Sequence, residues 1–301
     1  MSAPAGPGAR LAASPAFEPA LAWYFVLVWG SGYLATKAGL ADAPPFTFLA
    51  LRYAFGLALL APLALWLRPR FPSDGREWMH VVAAGLLMHA VNLGGSHYAQ
   101  YLGLSAGVTA LVLGMQPLAT AVIASLFLGE RLHSRQWAGV LLGLAGVALV
   151  VWHRIDARAA TFGGLAAVAI SLAAITAGTL YQRAFCPKAD LFSAALVQFA
   201  ASFAVMAPLA WGVEGFVVRW TTTLVASIAF LVIFASIFAV SALHVLMRRG
   251  HATRVTSLLY LTPVVAVALE WLLFGEVPSG LTLAGVFVAC AGVALVTRKM
   301  D

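Results

Sequence analysis

Charged residues are scarce in this sequence. Asp, Glu, Lys and Arg make up 10% of the 301 residues, whereas they make up about a quarter of an ordinary soluble domain. Hydrophobic residues make up 62%. Because water cannot be the solvent for most of such a surface, a soluble globular protein is excluded. The lipid bilayer is the expected partner of most of the chain.

Cysteine is also rare, and charged residues are not clustered. The two cysteines, Cys186 and Cys290, fall in a predicted loop and a predicted span, so no disulfide framework or metal site is expected. The net charge is +7, but the basic residues stand singly between apolar segments. We therefore expect no nucleic-acid partner and no cofactor.

Ten apolar runs are long enough to cross a bilayer as helices, which takes about 20 residues each. They lie at residues 20–38, 46–67, 77–98, 105–128, 135–152, 162–182, 191–211, 222–246, 253–274 and 280–298. Residues 1–19 are rich in Ala, Pro and Gly and are predicted to be a disordered cytoplasmic tail without a removable signal peptide. The sequence thus predicts an all-α membrane protein with ten transmembrane helices.

Part of the chain occurs twice, at an offset of 146 residues. The matched pairs are Pro117 with Pro263, Gly129-Glu130 with Gly275-Glu276, Ala138-Gly139-Val140 with Ala284-Gly285-Val286, Gly32 with Gly178, and Pro62 with Pro208. Several matches in one register indicate an internal duplication. We divide the chain into a first repeat at 20–152 and a second at 162–298.

Lysine and arginine predict the orientation in the membrane. With a cytoplasmic N-terminus, 13 of the 18 Lys and Arg fall in cytoplasmic segments, four fall on the other side and Arg52 lies inside a span. Both termini are therefore predicted to be cytoplasmic. Since each half has five spans, an odd number, the second half enters the membrane inverted. Inverted repeats are typical of secondary transporters, whose substrate site lies near the bilayer midplane and whose access alternates.

Polar and aromatic side chains at membrane depth indicate where a transport cavity lies. His89, Asn92 and Ser96 are spaced three and four residues apart and share one helical face. The other substrate-binding candidates are Trp29, Tyr33, Gln116, Tyr260 and Thr262. Pro117 and Pro263 occupy matched positions and are predicted hinges, because each removes a helical backbone hydrogen bond.

Each of these candidates also has a purely structural interpretation. His89 and Asn92 can bond a neighbouring helix, the two prolines can make static kinks, and aromatic rings can anchor at the interface. Gly139 and Gly143, four residues apart, allow helices to approach closely within the fold or across a homodimer. A homodimer is compatible with this pair, although a monomer is adequate.

Charged residues near the spans separate several hypotheses. Arg52 is expected to snorkel, to pair with a carboxylate or carbonyl, or to bind an anionic group. Glu270 is expected to be exposed at the interface, and Glu130 and Glu276 to cap a following turn. No acidic residue is expected near the middle of a span, which disfavours an exchanger of organic cations for protons. A neutral or zwitterionic solute fits better, and His89, His97 and His244 are the groups in the spans that titrate near neutrality.

The sequence resembles the EamA-type exporters of the drug/metabolite transporter superfamily over nearly its whole length. The motifs that carry the resemblance are Trp29-Gly30-Ser31 with Lys37, Pro45 with Leu51-Arg52-Tyr53, Pro117 with Leu128-Gly129-Glu130-Arg131-Leu132, Pro263, Phe274-Gly275-Glu276, and Ala284-Gly285. The resemblance implies two inverted-topology five-helix repeats and export of small metabolites across the bacterial inner membrane. The similarity is greatest to the family's aromatic amino-acid exporters, which implies aromatic and other neutral amino acids as the small-molecule substrate.

Two other functions stay open at this point. The same skeleton could export threonine-like amino acids or sugar phosphates, and a sugar phosphate would require Lys37 and Arg52 to point inward together. A membrane-embedded acyltransferase would need His89 and Asn92 as a catalytic pair. The chain lacks Gly-x-Ser-x-Gly, paired membrane aspartates and a metal-ligand cluster, so it is not expected to be an enzyme.

Overall fold

A computed structural model describes residues 17–127, 132–154, 159–239 and 261–297, and these ranges contain helices and short connections without a strand. The helices are α1 (Phe17–Gly39), α2 (Pro45–Leu67), α3 (consecutive segments Gly75–Gly85, Leu86–Val91 and Asn92–Tyr101), α4a (Ala106–Leu113), α4b (Gln116–Phe127), α5 (Ser134–Arg154), α6 (Ala159–Phe185), α7 (Leu191–Glu214), α8 (Thr222–Ala229, continuing as Phe230–Ala239), α9 (Thr262–Phe274) and α10 (Gly280–Thr297). The all-helical prediction is confirmed for this part of the chain.

Length and hydropathy single out four stretches that can each cross a membrane, at Pro45–Leu67, Ala106–Ile123, Phe162–Phe185 and Leu191–Glu214. The other described helices coincide with the remaining apolar runs. The predicted tail lies outside the described residues as far as residue 16, and α1 begins at Phe17.

Polar side chains fix the beginnings of several helices. Ser105 accepts a hydrogen bond from the backbone nitrogen of Val108, and Thr221 accepts one from that of Leu224. Asp74 and Asp190 cap α3 and α7 in the same way. These caps satisfy backbone N–H groups that have no partner inside the helix, and they set where each apolar run enters helical conformation.

Helix α4 is broken in the middle. Gly114 and Met115 form a turn between α4a and α4b, and Pro117 is the second residue of α4b. Pro263 is likewise the second residue of α9. A proline is tolerated in the first turn of a helix, where its missing N–H has no intrahelical acceptor. The two prolines therefore mark helix starts, and a Cβ placed on Gly114 would lie 3.1 Å from Cγ of Pro263, so these starts adjoin.

Helices α2 and α7, which hold equivalent places in the two halves, pack antiparallel. Glu214 at the end of α7 accepts hydrogen bonds from the backbone nitrogens of Phe46 (3.0 Å) and Thr47 (2.7 Å) at the start of α2. Between the helix ends, the rings of Tyr53 and Phe199 lie 5.4 Å apart. Because these two residues match at the offset of 146, their contact lies on a local twofold axis.

Helices α5 and α10 form a second pair of this kind. A Cβ on Gly139 would lie 2.6 Å from the carbonyl oxygen of Gly292, and one on Gly146 would lie 2.5 Å from that of Gly285. Gly139 and Gly146 match Gly285 and Gly292 at the offset of 146. Each contact thus joins one residue to the counterpart of the other, which is the pattern of a local twofold axis between antiparallel helices. The Gly139–Gly143 pair packs inside the fold, since a Cβ on Gly292 would lie 2.5 Å from the Gly143 nitrogen.

Candidate functional site

Arg52 lies about 10 Å along α2 from its first residue, at 1.5 Å per residue. The residue is 8% exposed. Its Nη2 donates a hydrogen bond to Oγ of Ser236 on α8 (3.2 Å), and its buried Nε has no acceptor among the described residues. The side chain is therefore buried rather than snorkelling, and it is not paired with a carboxylate in the described part of the chain.

His97 connects α1, α2 and α3 close to this depth. Its Nε2 lies 3.4 Å from Oγ1 of Thr36, and its Nδ1 lies 3.3 Å from Oγ of Ser96. The imidazole ring lies 5.6 Å from the ring of Phe48 on α2. All three polar residues are buried. Both ring nitrogens have neutral hydroxyl partners, so the histidine needs no charge to satisfy its surroundings.

His89 lies in the π-helical segment of α3, Leu86–Val91. Its Nε2 is 3.3 Å from Oε1 of Gln198 on α7, and Gln198 in turn donates to Gln182 on α6 (3.0 Å). The Tyr53 hydroxyl donates to the His89 carbonyl (2.9 Å), and Phe199 presents its edge to the imidazole. π-Helical turns are frequent at functional sites, because they release a backbone carbonyl from the regular α ladder.

Asn92 and Gln116 form hydrogen bonds between helices. The Asn92 Oδ1 accepts from Ser171 Oγ on α6 (2.7 Å), while its Nδ2 donates to the Met88 carbonyl (3.0 Å). Gln116 donates to Thr179 Oγ1, also on α6 (3.2 Å). Both predicted candidates thus join other helices to α6, as the structural interpretation of such residues expects.

The remaining candidates differ in their surroundings. The ring of Trp29 lies 5.2 Å from that of Phe25 in the same helix, with the planes tilted by 34°, and Trp29 is 37% exposed. Tyr33 packs on a buried cluster formed by α1, α4a and α9. Thr262, at the start of α9, is buried, and its Oγ1 has no hydrogen-bond partner within the described ranges. Tyr260 and His244 lie outside the described residues.

A cluster of charges joins α1, α4a and α9. Lys37 Nζ lies 2.8 Å from Oε1 of Glu270 and also contacts Glu276. Glu270 accepts backbone hydrogen bonds from Ala106 and Gly107 as well, each of 2.9 Å. The expectation that Glu270 is exposed at the interface was wrong, because the residue is 4% exposed and caps the first turn of α4a.

Sequence reasoning missed this cluster, although a signal was available. Lys37, Ser105 and Glu276 all fall on the same predicted side of the membrane at the ends of different spans. Opposite charges at one membrane face, one of them inside an apolar run, indicate an ion pair. The cluster also weakens the sugar-phosphate interpretation, since Lys37 is held by two carboxylates and does not join Arg52 in an anion site.

Two buried polar groups therefore face each other across the halves. Arg52 on α2 bonds Ser236 on α8, and His89 on α3 bonds Gln198 on α7, while His97 on α3 lies beside Phe48 of α2. Neutral donors and acceptors, one guanidinium and the rings of Phe48, Tyr53 and Phe199 lie within this region, which we call the central polar layer. Its described residues hold no group of three metal-ligating side chains. The arrangement is that of a multi-pass helical membrane protein with buried polar side chains between its helices.

Comparison with known proteins identifies the family of membrane proteins to which this chain belongs. The model of the EamA-like transporter family matches residues 18–152 and again residues 161–298, and the chain belongs to this family. Members are transporters and not enzymes.

Curated relatives match over nearly the whole chain. The uncharacterized inner membrane transporter YedA of Escherichia coli K12 is 28% identical over 94% of this chain and 90% of its own length. The uncharacterized transporter YvbV of Bacillus subtilis 168 is 26% identical, covering 92% and 90%. A probable amino-acid metabolite efflux pump of Escherichia coli K12 is 25% identical, covering 91% and 92%. A crystal structure that is 21% identical aligns with a TM-score of 0.66 over 95% of this chain and all of that one, so the two share a fold.

Proposed function

We propose that this protein is a secondary transporter of the bacterial inner membrane that exports aromatic and other neutral amino acids. Two inverted five-helix repeats would alternate access to a site between them, with both termini in the cytoplasm. The antiparallel packing of α2 on α7 and of α5 on α10 supports the inverted arrangement, because these are equivalent helices that meet about local twofold axes.

The observation that carries the proposal is the central polar layer. An amino acid needs a cation for its carboxylate, neutral acceptors for its ammonium group and, if aromatic, rings to stack on. The layer holds a buried guanidinium, neutral hydrogen-bonding side chains of His, Gln and Ser, and the rings of Phe48, Tyr53 and Phe199, so each of these kinds of group is present. A probable amino-acid metabolite efflux pump among the relatives is consistent with this solute class.

The two adjoining helix starts support the alternating-access mechanism. Pro117 and Pro263 stand at matched positions where α4b and α9 begin, and Gly114 packs against Pro263. Discontinuous helices near the midplane are a recurring feature of transporter sites, since a helix start can change direction with little loss of backbone bonding. We propose that these two prolines act as hinges.

Counterflow in proteoliposomes tests the proposal. Purified protein is reconstituted, loaded with unlabelled solute and exposed to labelled tryptophan, with phenylalanine, threonine and glucose 6-phosphate as competitors. We expect tryptophan and phenylalanine to exchange, with little change when a pH gradient is imposed, because no unpaired midspan carboxylate is available to carry protons. Transport of threonine or the phosphate alone would reject the aromatic substrate.

A further inference from the structure

We propose that Arg52 binds the carboxylate group of the transported solute. This assignment rests on the proposed function and adds to it the group that selects acids over amides and amines. The residue is nine-tenths buried, and within the described part of the chain it donates one hydrogen bond and its Nε has no acceptor.

An isolated buried guanidinium is expensive. Arginine carries five N–H donors and stays protonated in proteins, so it cannot relieve burial by losing its charge. The single bond to Ser236 Oγ is to a neutral oxygen at 3.2 Å. A counter-ion that binds and dissociates during transport explains why a charge with so few partners lies inside an apolar span.

None of the acidic side chains that the structure describes is placed to be that counter-ion. Seven of the 11 acidic residues have described side-chain partners elsewhere: Asp42 with Arg219 and Thr221, Asp74 with the Glu77 nitrogen, Glu77 with Ser73, Asp190 with the start of α7, Glu214 with the start of α2, and Glu270 and Glu276 with Lys37. The side chains of the other four lie outside the described part of the chain. Glu18 is the second residue of α1, and Glu130, Asp156 and Asp301 fall outside the predicted spans.

The nearby histidines do not compete for the same ligand. Both nitrogens of His97 are engaged by Thr36 and Ser96, and Nε2 of His89 is engaged by Gln198. The counterpart of Arg52 in the second repeat is Gln198, which carries no charge and bonds His89 and Gln182. Among its described residues, the layer therefore offers one cation among neutral groups. A solute with a single carboxylate matches it in charge.

The guanidinium group of Arg52 also fits a carboxylate in shape. A planar guanidinium can donate two parallel hydrogen bonds to a carboxylate, with its Nε and one Nη as donors. The buried Nε of Arg52 is one of the donors that have no acceptor among the described residues. A carboxamide would replace one acceptor oxygen by a donor and lose the charge, so it should be rejected.

The test compares acids with amides in tryptophan counterflow. Tryptophan and indole-3-propionate are expected to compete with labelled tryptophan, whereas tryptophanamide and tryptamine compete at least about tenfold less well. This comparison uses the unaltered protein, so it does not depend on the folding of a variant. Equal competition by tryptophan and tryptophanamide would overturn the assignment.

Variants of Arg52 then test whether this residue causes the preference for acids over amides. Arg52→Gln is expected to raise the half-inhibitory concentration of tryptophan at least about tenfold, to the level of tryptophanamide, with Arg52→Lys in between. The exposed Arg70 on the loop after α2 provides the matched control, and Arg70→Gln should change nothing. Folded Arg52→Gln protein that still prefers tryptophan to its amide would reject Arg52 and leave the proposed function standing. Absence of any amino-acid transport by the unaltered protein would reject both.

Discussion

The ammonium group of Lys37 lies 2.8 Å from the carboxylate of Glu270, which is 233 residues further along the chain. The same carboxylate accepts hydrogen bonds from the first turn of α4a. One buried acid thus ties α1 of the first half to α9 of the second and caps a third helix. Glu276 also contacts Lys37 and is the exposed member of this cluster, since its side chain is 41% exposed.

Removing the Glu270 charge should cost far more stability than removing that of Glu276. In Glu270→Gln, two backbone N–H groups and a half-buried ammonium lose a charged acceptor, and we expect a loss of about 2–4 kcal/mol in the free energy of unfolding. In Glu276→Gln, an exposed pair is weakened and the loss should be under about 1 kcal/mol. Denaturant unfolding of both proteins in the same detergent measures the difference. Similar losses for the two variants would contradict the role given to Glu270.

The helices could be predicted from the sequence because apolar length is what the bilayer selects. The predicted run at 46–67, for example, became α2 at Pro45–Leu67. The close packing of Gly139 and Gly143 within the fold was also foreseeable, since small residues four apart indicate helix contacts.

Other features depend on tertiary partners and could not be predicted. The π-helical segment at Leu86–Val91 has no local sequence signal. Glu270 was misjudged because depth along one helix does not reveal that a lysine and a helix start meet it from two others. The partners of Asn92 and His89 lie on α6 and α7. Helical periodicity predicts that the two residues share a face of α3, but it does not predict which helices that face contacts. Whether the candidates bind solute stays a prediction.

The glycine contacts between α5 and α10 should not tolerate a methyl group. In Gly146→Ala the new Cβ would meet backbone atoms of Gly285 and Ala289 at 2.5 Å, and we expect a loss of about 1–3 kcal/mol in the free energy of unfolding. Gly212, in α7, has no atom within 4 Å of its would-be Cβ. Gly212→Ala should therefore stabilise the helix by about 0.5–1 kcal/mol. Thermal unfolding in detergent compares the two, and a neutral Gly146→Ala would show that the helices are not in this contact.

The hydrogen bond between Asn92 and Ser171 should appear as a coupling energy. We expect Asn92→Ala and Ser171→Ala to be non-additive in the free energy of unfolding by about 1 kcal/mol, because each change alone removes the same side-chain bond. Ser171 also donates to the Asn92 carbonyl (2.6 Å), which limits the loss in Asn92→Ala. Folded Asn92→Ala protein is expected to transport less tryptophan. Additive losses would show that the bond does not contribute to stability.

Trp29 should matter for transport and not for folding. Its ring contacts Phe25 on one side and is partly exposed on the other, so in Trp29→Ala we expect tryptophan counterflow to fall by about three- to tenfold through a lost stacking contact. Trp66, 78% exposed at the end of α2, supplies a matched control. Trp66→Ala should retain the rate of the unaltered protein. An equal rate for Trp29→Ala would remove this residue from the site.

Chemical labelling of Cys186 tests the orientation of the protein in the membrane and the raised pKa of this thiol. It follows α6 on the loop that is cytoplasmic if the N-terminus is cytoplasmic, and burial raises the pKa of its thiol. In a Cys290→Ala background, a membrane-impermeant maleimide should label inverted vesicles and not intact cells. The thiolate is the reactive form, so below the raised pKa the labelling rate should increase by about tenfold per pH unit between pH 7 and 8. Cys186→Ala in the same background sets the zero level. Labelling in intact cells would place this loop outside and reverse the orientation of every helix.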